Sequence, residues 1–212
     1  TYRNSQELID IAGGFIMQND NQIQKKLLSS KHLKDPIILM SYNDTYKHKD
    51  DLKDKGPYYR LGEAIVESLD DIVLKQGIDQ KVLIIGRYNF DAKNLGRLTD
   101  FFVYAGEKIV CKKYPKLRIH CLTAHASKGL TYDNTIIING KDDILGFPSK
   151  IEDDPVMKLV IKDDEKMDYS EERRLFYVAM TRTKKKLHIF GMRQNLGNTM
   201  QLSQFVGEAL QF

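Results

Sequence analysis

LRIHCLTAHASKGLTYDNTIIIN (Leu117–Asn139) sets a polar loop between two short apolar runs, and the order of its parts decides the fold. LRIHCLT (Leu117–Thr123) and TIIIN (Thr135–Asn139) are too short for helices and rich in β-branched residues, the pattern of strands buried on both faces. KVLIIG (Lys81–Gly86), PIILMSY (Pro36–Tyr42) and KLHIFG (Lys186–Gly191) repeat that pattern. Between them lie segments of helical period. Asn4 is placed to cap the first, with Glu7 at the capping-box position and Leu8, Ile11, Ala12, Phe15 and Ile16 on one face. Leu61, Ala64, Ile65, Leu69, Ile72 and Val73 give a second helix ending near Gly77. Asp91 is read as the cap of a third, carrying Leu95, Leu98, Phe101 and Phe102. Asp168 or Ser170 opens EERRLFYVAMTR, with Leu175, Val178 and Ala179 as its buried stripe, and a closing helix starts at Ser203. Strands alternating with amphipathic helices predict an α/β fold, a mostly parallel sheet with helices on both faces. Such sheets carry their sites beyond the carboxyl ends of the strands.

Composition agrees with a globular chain: 212 residues, 42% hydrophobic and 29% charged. That length lets roughly 70% of the unfolded surface be buried in one core-bearing domain. There is no run of 18 apolar residues, and TYRNSQELID lacks the basic and apolar regions of a secretory signal, so no membrane partner is expected. Two cysteines, Cys111 and Cys121, are too few for a disulfide framework and suggest a cytoplasmic setting. A net charge of +4 attracts polyanions weakly, so any nucleic-acid contact must be local. The chain begins at Thr1 and reads as one domain, residues 1–212, of something longer. NDTYKHKDDLKDKGP is read as a surface loop. Residues 141–168 hold nine acids against five lysines and read as an acidic surface excursion.

Three clusters carry chemistry. TAHASKGL (Thr123–Leu130) offers hydroxyls, an imidazole and a lysine to phosphates, with Gly129 allowing close backbone approach. EERRLFYVAMTR (Glu171–Arg182) ends on Arg182, a guanidinium free to meet an anion. Tyr2-Arg3 pairs a ring that suits a base with a fork that suits phosphate.

Together, in the order TYRNSQ, IIGRYN, TAHASKGL and EERRLFYVAMTR, these segments resemble motifs IV, V and VI of the C-terminal motor domain of UvrD/Rep-like superfamily 1 helicases. The opening TYRNSQELIDIAGGFIMQN looks most like the helicase IV branch. The resemblance implies a RecA-like, P-loop NTPase-type sheet. It implies that Tyr2 stacks on adenine, that Arg3 contacts the γ-phosphate, and that Arg182 is the arginine finger, the last two forming the catalytic pair. Gly129 falls on the nucleotide side. Arg87, Asn89, Thr123 and His125 match positions that touch the phosphates and sugars of single-stranded DNA, contacts indifferent to sequence. Translocation 3′ to 5′ is implied as well.

Two departures stand out. Thr131 occupies the place of an acidic residue that meets the nucleotide sugar in the family, with Asp133 nearby. Only about thirty residues separate GRYN from motif V, where UvrD and Rep insert a large domain. There is also no G-x-x-x-x-G-K-[ST] loop and no acidic pair for magnesium. The chain is therefore expected to supply half of a site for ATP with Mg2+, the metal ligands lying on an upstream RecA-like domain, and to be inactive alone.

Plainer readings bound the rest. His120 and Cys121 are strand neighbours pointing to opposite faces, which argues against zinc with Cys111 and His125, and no metal site is expected. Phe176 and Tyr177 read as core, Lys184, Lys185 and Lys186 as a solvated turn, and Glu171 and Glu172 as helix-dipole partners with a structural role. Two rival functions share the motifs: a HelD-like ATPase remodelling RNA polymerase or another nucleic-acid complex, and a non-catalytic nucleic-acid-binding module.

Overall fold

The computed structural model describes residues 3–19, 22, 26–44, 56–105, 108–151, 169–195 and 198–212. Its elements are α1 (Gln6–Met17), β1 (Ile37–Asp44), α2 (Gly56–Gln76), β2 (Lys81–Gly86), α3 (Phe90–Arg97), β3 (Phe102–Ala105), β4 (Lys108–Cys111), β5 (Arg118–Thr123), β6 (Asn134–Ile137), α4 (Ser170–Met180), β7 (Leu187–Asn195), β8 (Asn198–Thr199) and α5 (Gln204–Ala209). Tyr2, the loop over 45–55 and residues 152–168 of the acidic excursion lie outside the described residues.

Seven strands lie side by side in the order β1-β7-β6-β2-β5-β4-β3, and β8 pairs with β7. The first five are mutually parallel, and β4 and β3 close one edge antiparallel. Successive residues of each parallel strand point to opposite faces, so both faces need cover. Val82 and Ile84 of β2 join Ile119, Cys121, Ile136 and Phe190 under α2 and α3. Leu83 and Ile85 join Ile137, Leu187 and Ile189 under α1, α4 and α5. The expected α/β architecture, helices on both faces of a mostly parallel sheet, is what forms. Gly77 ends α2 at φ 86°, a conformation that glycine adopts without penalty, and its N–H closes on Val73 O at 2.9 Å.

Four local expectations are corrected. Ser5, not Asn4, caps α1: its hydroxyl accepts from Leu8 N at 3.3 Å, and Asn4 is turned inward for another task. Asp91 lies inside α3 and is buried, its carboxylate accepting from Tyr88 N at 2.9 Å and from the Tyr58 hydroxyl at 2.9 Å. The third helix ends at Arg97, and Phe102 opens β3 instead of continuing it. Two four-residue strands, β3 and β4, pair as a hairpin in the short GRYN-to-motif V connection, between α3 and β5; Gly96 brings them in, since a Cβ there would sit 2.4 Å from the Cβ of Tyr104.

The stripe of α4 is the fourth. It runs through Arg173, Phe176, Ala179 and Met180, leaving Leu175 and Val178 half-buried. A charged residue takes a core position because its partners come with it. The Arg173 guanidinium lies 4.7 Å and 4.9 Å from the Phe15 and Phe205 ring centroids. It also donates to Gln18 Oε1 at 3.0 Å and pairs with Glu208 at 2.5 Å. One arginine thereby joins α1, α4 and α5.

Candidate functional site

The parallel register sorts the candidate residues onto two edges of the sheet, six residues of strand apart, or roughly 20 Å at the usual rise. Arg87, Asn89, Thr123 and His125 follow the carboxyl ends of β2 and β5. Arg3, Gly129 and Arg182 lie at the opposite, amino-end edge: Arg182 O accepts from Tyr132 N at 2.9 Å, Tyr132 bridges Thr183, and Asp133 N donates to Lys81 O at the start of β2. The expectation that all function sits beyond the carboxyl ends is corrected here. The reason is motif V itself, a chain of turns that starts at the carboxyl end of β5 and descends to the amino end of β6.

At the amino edge, Arg3, Asn4, Ile9, Ala12, Leu27, Tyr177, Thr181 and Arg182 line a cleft of about 410 Å³. Its size falls in the range of small-molecule sites. Arg182 is half-buried and its fork is oriented by its own surroundings. Nε donates to Val178 O at 2.8 Å, Nη1 to Leu130 O at 3.1 Å and Nη2 to Thr181 Oγ1 at 3.0 Å. None of these acceptors is a carboxylate, and none of the described residues lining the cleft is acidic. Burial, and after it the charge of Arg3, hold the Arg182 pKa below its ordinary value. Two guanidinium groups lining one cleft, with no acidic side chain among its described lining residues, are chemically suited to an anion.

Gly129 has φ 85°, a conformation that glycine adopts without penalty, with open space where a Cβ would stand. It lets the chain turn so that Leu130 O meets Arg182. Asp133, the residue near the atypical Thr131, accepts from Lys81 N at 2.8 Å and so ties motif V to β2.

At the carboxyl edge, Thr123 Oγ1 accepts from Ala126 N at 3.2 Å, and the His125 side chain is exposed. Asn89 precedes α3 without capping it, leaving its amide exposed. Asn89, Lys93, Tyr104 and Thr123 share a cleft of about 240 Å³. Arg87 is held: Nε lies 3.1 and 3.0 Å from the two carboxylate oxygens of Glu172, whose Oε2 also accepts from Ser149 N at 2.9 Å. Burial pulls the Arg87 pKa down, but Glu172, with Tyr88 and Glu171 adding to it, outweighs burial and the net shift is upward.

Sequence reasoning gives three residues too small a part: Asn4 is read as a cap and Glu172 as a helix-dipole partner, while Tyr177, which packs partly buried against the core as expected, also lines the cleft. The position of Tyr177 four residues before Thr181, on the same helical face, was the available signal. For Glu172 there was none, since its partner is 85 residues away. Cys111 and Cys121 are buried together under α2, while His120 packs its ring 5.5 Å from that of Tyr132. Among the described residues, no three histidine, cysteine or acidic side chains stand close enough to hold a metal.

Residues 97–194 match the family model of the UvrD-like helicase C-terminal domain. DNA helicase IV of Escherichia coli K12 is 27% identical over 196 residues, covering 92% of this chain and 24% of that protein. ATP-dependent DNA helicase Rep of Buchnera aphidicola is 37% identical over 81 residues, covering 38% of this chain and 10% of its own length. The chain thus spans a quarter or less of these relatives. Among solved structures, the C-terminal domain of a "possible DNA helicase" from Lactobacillus plantarum WCFS1 superposes with a TM-score of 0.53 at 15% identity, covering 99% of this chain and 94% of that one. This last likeness speaks for the fold. No helix among the described residues is long and apolar enough to cross a membrane.

Proposed function

Because the chain is a UvrD/Rep-like helicase C-terminal domain, we propose that it is the second motor domain of an ATP-dependent DNA helicase or translocase. One edge completes an ATP site and the other grips single-stranded DNA. The observation that carries this reading is the cleft with Arg3 and Arg182 and no carboxylate among its described lining residues. A triphosphate supplies the missing negative charge. Arg182 is the group that meets charge developing on the transferred phosphoryl, a role worth roughly 10³ to 10⁵ in rate. Arg3 holds phosphate, and Tyr2 and Tyr177 supply rings for the base side. With no acid lining the cleft among the described residues, the ligands for Mg2+ belong to an upstream RecA-like domain. This domain alone therefore does not turn over ATP.

The carboxyl edge, with Asn89, Thr123, His125 and the Arg87 loop, holds the strand by its phosphates and sugars. A motor must pass over any sequence, and backbone contacts suit that need. Since the two sites sit at opposite ends of motif V, a shift of Gly129 and Leu130 at the nucleotide edge is carried along one short chain to Thr123. Movement along the strand runs 3′ to 5′, as in the family the motifs resemble.

The test is the steady-state ATPase rate of the complete polypeptide, with and without single-stranded DNA, for wild type and Arg182→Ala. Strong stimulation by DNA and a loss of about 10³-fold or more in the variant are expected. A rate indifferent to DNA moves the reading to an ATPase that remodels a protein assembly such as RNA polymerase. An unchanged rate in Arg182→Ala overturns the site.

A further inference from the structure

We propose that Asn4 is a positioning residue that sets the spacing of Arg3 and Arg182, an inference that rests on reading their cleft as half of an ATP site. Asn4 is buried at 6% exposure, although it is polar and lies near the start of the chain. Its Nδ2 donates to Thr183 O at 2.7 Å and to Thr181 O at 3.3 Å. These are the carbonyls on either side of Arg182. Two carbonyl oxygens can be met only by the amide's nitrogen, so the orientation of the group follows from its surroundings.

The other half of the latch is the main chain of Asn4. Its carbonyl accepts from Ser29 Oγ at 2.7 Å, and the next residue, Ser5, caps α1. Arg3 therefore leaves a backbone anchored on one side by Ser29 and on the other by α1, while Asn4 grasps the segment carrying Arg182. Thr181 O would otherwise be one of the unpaired carbonyls at the end of α4. Thr181 also contributes, through Oγ1, an acceptor for Arg182 Nη2, so the segment that Asn4 holds is the one that orients the fork.

A latch is needed because the two guanidinium groups repel. Arg182 has its pKa lowered by Arg3 as well as by burial, so like charges facing one cleft tend to separate before an anion arrives. Asn4 does not touch the anion. It keeps the pair preorganised, and an anion then gains the full benefit of both forks without reorganisation.

The experiment is a kinetic double-mutant cycle in the complete polypeptide, using Asn4→Ala, Asn4→Ser and Arg182→Lys, with kcat, KM for ATP and DNA affinity measured for each. Asn4→Ala is expected to lower kcat about 10- to 100-fold with DNA affinity unchanged, since small misplacements of reacting groups carry penalties of that size. Asn4→Ser, which keeps one donor, recovers part of the loss and carries the test if the alanine variant does not fold. In the Arg182→Lys background the same Asn4 substitutions have little further effect, because residues acting as a unit are not additive. Penalties that multiply instead mean that Asn4 only supports the fold, and the proposal falls. An unchanged kcat in Asn4→Ala also overturns it while leaving the ATP-site reading intact. If Arg182→Lys itself leaves kcat intact, the reading of the cleft fails and takes the latch with it.

Discussion

Arg87 and Glu172, 85 residues apart, face each other as a two-pronged pair with side chains only 19% and 14% exposed. The first follows β2 and the second belongs to the opening turn of α4, so the pair joins the GRYN loop to the motif VI helix. Ser149 N completes the carboxylate's partners, and Asn139 Oδ1 accepts from Arg87 N at 2.7 Å. An arginine that the motif resemblance assigns to DNA contact is, in the structure, a strut of the carboxyl edge.

Breaking that strut has a predictable cost. Glu172→Ala strands a half-buried guanidinium and the Ser149 amide, and should destabilise the domain by about 2 to 3 kcal/mol. Urea unfolding of the two single variants and the double variant with Arg87→Ala should return a coupling energy of about 1 kcal/mol or more. Simple additivity of the two losses would show that the pair contributes nothing.

Grip on the strand has its own signature. If Arg87 keeps a hydrogen-bonding prong for phosphate while paired, Arg87→Ala should reduce the slope of log affinity against log salt by about 0.7 for single strands, with no change in sequence preference. Titrations of labelled oligonucleotides at several salt concentrations measure it. An unaltered slope would confine Arg87 to the strut.

His188 predicts acid sensitivity. It is 1% exposed on β7, neither ring nitrogen has a hydrogen-bond partner among the described residues, and burial lowers its pKa from 6.5 to about 4. The folded state therefore favours the neutral ring. As pH falls below 6.5 the unfolded chain takes up the proton first, and stability drains away until about pH 4, by at most about 3 kcal/mol. His188→Leu should remove that component and hold or raise stability at pH 7, since no hydrogen bond is lost. Urea midpoints between pH 4 and 7 test both statements.

Gly96→Ala should destabilise by about 1 to 3 kcal/mol despite raising helix propensity. The new Cβ meets Tyr104 Cβ at 2.4 Å and Tyr104 N at 2.8 Å, and a backbone in a strand cannot step aside as a side-chain tip can. A rise in thermal midpoint would show that the hairpin docks more loosely than this.

The strands KVLIIG, RIHCLT and NTII were legible in the chain because a parallel strand covered on both faces needs apolar residues at every position, a pattern that composition alone reveals. The amphipathic α2 and its stop at Gly77 were legible for a similar reason, since period and backbone permissiveness are local. From these came the α/β sheet with helices on both faces, and from the order of the motifs came the family. The β3–β4 hairpin escaped, because FVYA and KIVC are short, half-exposed edge strands whose pairing supplies what their sequence lacks. Arg173 escaped as well, since a charge reads as surface until Phe15, Phe205 and Glu208 arrive from two other helices. Above all, tertiary structure decided which residues meet. Arg3 and Arg182 share a cleft because Asn4 bonds across 177 and 179 residues, and Arg87, Asn89, Thr123 and His125 lie on the opposite edge because the strands run parallel. Local periodicity records which side chains a segment must hide. It holds no information about the distant carbonyl that a buried amide will find.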